Sequence, residues 1–258
     1  MPPATALPLV ENAVLFFRGE TAWPAARLTP RQADWLRAAA NPSGRPNGDV
    51  LQGYLGCSAK ARRQHWQIDF AAHLTAQEAA LYLEPCALLA RNLPGERPGA
   101  WWVNPGADPA LRSALARLDR FLATAVDAPQ PAWSWVDAGW LPDDTLLVAA
   151  RDDDFTGGVL QSRLFAVWWN GAADRLGALR SFPFPWPPTR PLGALTGPEQ
   201  DLRFEIGRAA RSGDPARIDQ AVATAYGWPA DLSEGEVIRR LGELNRRRAA
   251  QSRPGGGP

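Results

Sequence analysis

Lysine is almost missing from this chain. Of 28 basic residues among 258, Lys60 is the one lysine and the rest are arginine. A GC-rich coding bias toward arginine accounts for most of this, and the planar guanidinium also suits bidentate contact with phosphate and guanine. An excess of charge is missing as well, because 27 acidic residues leave a net charge of +1. That balance excludes a strongly basic protein that coats DNA, but not a local basic face. Cys57 and Cys86 are too few for a disulfide framework or a cysteine-based zinc site. They read as reduced core residues of a cytoplasmic protein. The two histidines, His65 and His73, have no Cys, His or carboxylate partners at metal-ligand spacing. No phosphate-binding glycine loop and no G-x-S-x-G nucleophile elbow occurs. No apolar run approaches the length of a membrane span. The start MPPATALPLV lacks the basic and apolar regions of a signal peptide.

What is present suits a folded body. Apolar residues make up 45% of the chain, enough for a sizeable core in one large domain or two small ones. Asn12 to Phe17 reads as a strand. Thr29-Pro30-Arg31-Gln32 is a capping box that opens a helix with Trp35, Leu36 and Ala39 on its apolar face. Asp49 to Leu55 reads as a strand. Gln64 to Phe70 reads as another, half-buried through Trp66, Ile68 and Phe70. Thr75 to Glu78 opens a helix reaching Asn92, which Pro85 should kink or split. Asp108-Pro109 opens a third helix with a stripe of Leu111, Leu115, Leu118 and Leu122. Strands follow at Ala132 to Val136 and Thr145 to Ala150. Asp154 then caps a helix whose inner face is Leu160, Leu164, Val167 and Trp168. The dense prolines from Pro183 to Pro191 exclude regular helix. Three helices close the chain, at about Pro198 to Arg211, Pro215 to Tyr226 and Glu234 to Ala250. The fold class is therefore mixed α/β (α+β): a body over 1–185, a helical C-terminal subdomain over 186–250 and a disordered tail over 251–258.

Each candidate for chemistry has a plainer reading beside it. Asp152-Asp153-Asp154 could hold a divalent metal, but consecutive carboxylates seldom converge, and acidic residues before a helix serve as caps. No catalytic residue, metal ligand or cofactor is assigned. Twelve tryptophans are many. Trp66, Trp168 and Trp228 sit in apolar patterns, whereas Trp101-Trp102 and Trp133 to Trp135 read as loop-side residues able to meet a base or a partner. The DNA-binding candidates are Arg45, Lys60, Arg62, Arg63, Gln64, Arg120, Arg163 and Arg180. Arg62-Arg63-Gln64 is the most suggestive group, since Arg and Gln pair with guanine and adenine edges.

Several stretches carry a family resemblance. One is the run Ala150 to Trp168 (ARDDDFTGGVLQSRLFAVW), followed by a glycine and then Phe182 to Pro188 (FPFPWPP). Others are Arg45 to Leu51, and Trp66 to Phe70 with Glu78-Ala79, Tyr82 and Glu84-Pro85. The last are Ala225 to Ser233 and Leu241 to Arg248 (LGELNRRR). Together they resemble the target-recognition region and C-terminal helical end of type IIG-like, adenine-specific DNA methyltransferases of restriction–modification systems. That family's catalytic domain carries a cofactor loop and an Asn-Pro-Pro-aromatic motif. Neither Asn41-Pro42-Ser43 nor Asn104-Pro105-Gly106 fits that motif. The resemblance implies a target-recognition-like body without its own catalysis, double-stranded DNA as partner, methyl transfer by a separate catalytic subunit, and a methyltransferase or nuclease subunit as protein partner. Phe165 stands where the family often has His, and the Asn170 to Arg180 stretch is short. Packing residues are kept where polar ones are lost, which motivates the alternative of a repurposed protein-interaction module that no longer binds DNA.

Overall fold

Two four-stranded sheets and a set of short helices build the protein, whose computed structural model describes residues 6–58, 61–93, 95 and 99–251. The tail expected to be disordered lies outside the described residues beyond Gln251.

The strand expected over Asn12 to Phe17 is divided. A turn of helix, α1 (Val10–Ala13), precedes β1 (Phe16–Arg18). The cause is Asn12, whose buried amide must find acceptors and donates to the carbonyls of Leu179 (3.1 Å) and Phe182 (2.8 Å). After β2 (Arg27–Leu28) comes α2 (Pro30–Ala38). The Thr29–Gln32 capping box starts it as expected. Ala33 and Leu36 face inward, whereas Trp35 is 51% exposed and does not belong to the apolar face. The hairpin β3 (Leu51–Ser58) and β4 (Ala61–Ile68) pairs in register from Leu51↔Ile68 to Ser58↔Ala61. Strand β4 is exposed at Arg63 and Gln64, partly buried at Trp66 and buried at His65, Gln67 and Ile68.

The helix opened by Thr75 is split into α3 (Ala76–Ala80) and α4 (Leu83–Asn92), with Pro85 in the first turn of the second, where its missing N–H costs nothing. Asp108 caps α5 (Pro109–Leu115) through the amides of Ala110 and Leu111. That helix stops well short of Leu122, which belongs to β5 (Arg120–Ala125). Then follow β6 (Ser134–Asp137), β7 (Trp140–Pro142), which the pattern did not announce, and β8 (Leu146–Ala149). The next helix is two helices, α6 (Asp154–Gln161) and α7 (Arg163–Asn170), divided at Ser162, whose extended backbone lets its hydroxyl cap α7. The cap of α6 is Asp153 rather than Asp154. A further helix, α8 (Arg175–Ser181), precedes the proline-rich exit. The last three are α9 (Gly197–Ser212), α10 (Pro215–Tyr226) and α11 (Glu234–Gln251). Gly213 and Gly227, both left-handed, end α9 and α10. At the start of α11 Ser233 accepts from the Glu236 amide, but the Glu236 carboxylate turns to Arg239 and Arg240 instead of back to the cap, and they hold it down to about 2.

The first sheet has the order β1-β8-β5-β6, antiparallel throughout. The second has the order β2-β4-β3-β7, with β3 and β7 parallel. One face of the first sheet packs with α5 and with β3 and β7 of the second. Its other face, through Phe16, Leu122, Leu147 and Ala149, meets α6 to α11. Phe182, Phe184 and Trp186 of the exit are buried in that same cluster. Phe165 lies at the centre of it, against Trp133, Trp169 and Phe182. Burying such a ring fully contributes about 1.5–3 kcal/mol, which explains an aromatic where a polar ring would lack partners. Trp133 is thus core rather than loop-side. α6 meets α9 closely at Gly158, where an added Cβ would come within 2.7 Å of Ile206.

Candidate nucleic-acid interface

The hairpin and the first sheet together form a strip of alternating aromatic and polar side chains. Arg37 of α2 lies over the Trp66 ring at 3.8 Å. Trp66 of β4 meets Trp140 of β7, with ring centroids 5.3 Å apart. Register places them together, because Gly53 of β3 pairs with Trp66 on one side and Trp140 on the other. A Cβ at Gly53 would strike the Trp140 ring at 2.8 Å, so glycine is what admits the indole. Beside Trp140 is a cavity of about 290 Å³ lined by Leu55, Gln64, Trp135, Val136, Asp137 and Trp140. Trp135 also walls a second cavity of about 330 Å³, shared with Arg120, Asp154, Gly157, Gln161, Ala210 and Arg211. Arg120 stacks on the Trp135 ring at 3.8 Å. The strip therefore offers apolar ring faces, the amides of Gln64 and Gln161 and several guanidinium groups along two hollows that share Trp135 as a wall. Such groups can meet sugar, base edges and phosphate.

Two of the residues expected to meet DNA come together here. Gln64, exposed on β4, and Arg120, at the start of β5, each line a hollow that Trp135 also walls. Arg63 is exposed and adjoins Gln64 along β4. Lys60 and the side chain of Arg62 lie outside the described residues. Arg45 is elsewhere, 5.9 Å from the Tyr82 ring centre. Arg163 donates to the Leu232 carbonyl (2.9 Å), and its own amide donates to Asp219 (2.6 Å), which ties α7 to the last helices. Arg180 donates to the Phe16 carbonyl at 3.2 Å and ties α8 to β1. Both guanidinium groups are thus engaged in helix packing. Among the acidic residues, Asp153 accepts from the Thr156 amide at 2.9 Å and pairs with Arg151, and Asp154 binds two arginines. These are capping and pairing roles. No group of three or more metal-ligating side chains occurs among the described residues.

Behind the hairpin lies a buried polar centre. Arg112 of α5 donates from Nε to Glu20 Oε1 (2.6 Å) and from Nη2 to Glu20 Oε2 (2.8 Å), Asp69 Oδ2 (2.7 Å) and Tyr54 Oη (3.0 Å). The Tyr54 hydroxyl donates to Glu20 at 2.7 Å. Burial pushes this hydroxyl far up, reinforced by the charges of Asp69 and Glu20, so it stays protonated and donates. Burial also raises the Asp69 carboxyl, against the pull of Arg112. Burial works against the Arg112 charge too, but its bonds to Glu20 and Asp69 prevail and raise it further. This centre joins α5 to the hairpin and so fixes the angle at which Gln64 and Trp66 are presented. His65 stacks on Tyr54 with centroids 5.5 Å apart, and its Nε2 meets the Gln67 amide at 3.1 Å.

The fold is similar to part of a Type IIL restriction–modification enzyme. That enzyme, MmeI, was solved in complex with DNA. The two superpose with a TM-score of 0.55 at 15% sequence identity, over 97% of this chain and 37% of the enzyme. At that identity the likeness is one of architecture, and the chain spans little over a third of the enzyme's length. No family model and no curated protein matches the chain. No described helix is long and apolar enough to cross a membrane.

Arg37, Trp140 and Arg211 belong to the strip but were not singled out in the sequence. Arg37 sits in an ordinary i,i+3 pair with Asp34. Trp140 lies in a three-residue strand, and Arg211 in the last turn of a helix where a basic residue complements the dipole. Alternating Trp and Arg across separate elements was the available signal, and only tertiary packing joins them.

Proposed function

We propose that this chain is a DNA target-recognition module related to those of restriction–modification methyltransferases, acting with a separate catalytic subunit. The observation that carries the reading is the placement of Gln64 and Arg120 beside one indole, Trp135, on a strip that continues through Trp140, Trp66 and Arg37. The fold likeness to an enzyme solved with DNA supports it. Guanidinium groups at the two ends of the strip hold phosphates, while Gln64 on the hairpin reaches base edges. With a net charge of +1, affinity rests on this local face rather than on a general field.

The test is binding to random and genomic duplex DNA across a range of salt. The expected result is binding at low salt that weakens linearly with log salt, each phosphate contact contributing a slope of about −0.9. Absence of binding at low salt, with no salt slope, overturns the reading and leaves the protein-interaction alternative.

A further inference from the structure

Asp154 is the first residue of α6, yet it does not cap that helix, since Asp153 does. Its two carboxylate oxygens serve distant arginines instead. Oδ1 accepts from Arg120 Nη2 at 2.8 Å and Oδ2 from Arg211 Nη1 at 2.5 Å. Arg120 starts β5 and Arg211 ends α9, so three elements converge on one carboxylate. The carboxylate is only 18% exposed, whereas the arginines are 42% and 60% exposed. They stand at the mouth of the cavity of about 330 Å³ walled by Trp135 and Gln161. Gly157 leaves its floor open, for a Cβ there would approach the Trp135 ring at 3.3 Å. Two guanidinium groups, each reaching one oxygen of the same anion beside an open hollow, form a receptor for a singly charged, multi-oxygen group.

We propose that the Arg120–Arg211 pair is a phosphodiester site, and that Asp154 occupies it in the free protein as a stand-in for the nucleic-acid phosphate. This rests on the recognition reading above and deepens it by assigning the backbone contact at one end of the strip. The carboxylate keeps both arginines folded over the hollow and neutralises half of their charge. The two arginines are far more exposed than the carboxylate, so they can turn outward to an incoming phosphate while Asp154 stays in the first turn of α6, where the helix N-terminus favours its charge. The device holds down indiscriminate binding: the site opens fully only when contacts at Gln64 and Trp135 add to those of the phosphate.

The experiment compares wild type with Asp154→Asn on a short random-sequence duplex, titrated by anisotropy across salt. Asp154→Asn is expected to bind several-fold tighter at low salt, with a salt slope steeper by about 1 to 2, as two arginines become free to meet phosphate. Adding Arg211→Gln to Asp154→Asn should remove most of the gain. Circular dichroism and thermal unfolding check that each variant is folded, and Asp154→Ser serves if the Asn variant is not. If wild type binds duplex and neither Asp154 variant binds tighter, the proposal is overturned while the recognition reading stands. If neither wild type nor variant binds duplex, the recognition reading itself falls, and the proposal with it. Stabilisation of Asp154→Asn by inorganic phosphate, without any gain on duplex, overturns the assignment to a nucleic-acid backbone.

Discussion

Arg112 holds the carboxylate of Glu20 by two parallel bonds, Nε to Oε1 at 2.6 Å and Nη2 to Oε2 at 2.8 Å, and the Glu20 side chain is wholly buried. Ninety-two positions separate the two residues in sequence. The pair therefore bolts α5 to the segment between the two sheets, and Asp69 and Tyr54 lock the hairpin to the same guanidinium. Removing the cation would leave two buried carboxylates facing each other without compensation.

Arg112→Met should accordingly destabilise the protein by about 3 kcal/mol, the lower end of what breaking a buried pair costs. The companion Glu20→Gln, combined with it, should recover part of the loss, because one uncompensated charge is gone. Urea unfolding measures both. Equal stability of Arg112→Met and wild type would mean that the centre is not what holds the hairpin.

Stability should also depend on pH through His65. Burial is the main reason its imidazole titrates below the ordinary value of 6.5, helped by the charges of Arg27 and Arg63 and opposed by Asp143. The native state then binds fewer protons than the unfolded chain, so stability is complete above pH 6.5 and falls as the pH drops toward the depressed native value. The buried Nδ1 without a hydrogen-bond partner is consistent with a neutral ring. Urea midpoints taken between pH 7.5 and 5 should slope in wild type and flatten in His65→Gln. The same slope in both would assign the effect to other groups.

How far the sequence reaches depends on the range of the interaction. Thr29–Gln32, Thr75–Glu78 and Asp108 declare their helices because a cap is settled within four residues. The break at Ser162 stays hidden because Leu160, Leu164, Val167 and Trp168 keep a helical stripe across it and all are buried on both sides of it. Strand β7 is invisible because three residues carry no period, and its place is settled by β3 alongside. The same holds for the site. Gln64 and Arg120 could be named as residue types suited to DNA, but that they share Trp135 follows only from how the hairpin lies on the first sheet. Arg163 and Arg180 look identical to Arg120 in sequence, and only the fold separates them: the first two donate to carbonyls that tie packed elements together, whereas Arg120 lines a hollow and stacks on Trp135.

The acidic run divides into unequal parts. Asp153 caps α6 through the Thr156 amide and pairs with Arg151, whereas Asp152 is exposed and contributes its backbone carbonyl to Arg120. Asp153→Ala should cost about 1–2 kcal/mol, as a lost cap with its ion pair does. Asp152→Ala should stay within about 0.5 kcal/mol. Thermal melts compare the two. A metal site would instead tie both residues to magnesium, so a magnesium-dependent rise in Tm lost equally in both variants would overturn the capping account.

Gln64 and Arg120 each line a hollow walled by the same indole, yet they should fail differently. An amide that reads a base edge contributes to discrimination without shedding counterions, so Gln64→Ala should lower affinity for the preferred duplex by about 1–3 kcal/mol and leave random-sequence binding and the salt slope as they were. Arg120 stacks on Trp135 at 3.8 Å and offers a charge. Arg120→Ala should weaken binding to the preferred duplex and reduce its salt slope by about one contact, with a smaller effect on random duplex, where Asp154 still holds the guanidinium. Trp135→Ala keeps the charge but removes its platform, so a loss of about 0.5–1 kcal/mol with an unchanged slope is expected. Arg163→Ala, which breaks the tie to Leu232, should lower stability and leave the affinity of the folded protein unaltered. Titrations of the four variants on selected and random duplexes at several salt concentrations separate these outcomes. If Gln64→Ala moved the salt slope and Arg120→Ala did not, the roles given to Gln64 and Arg120 would have to be exchanged.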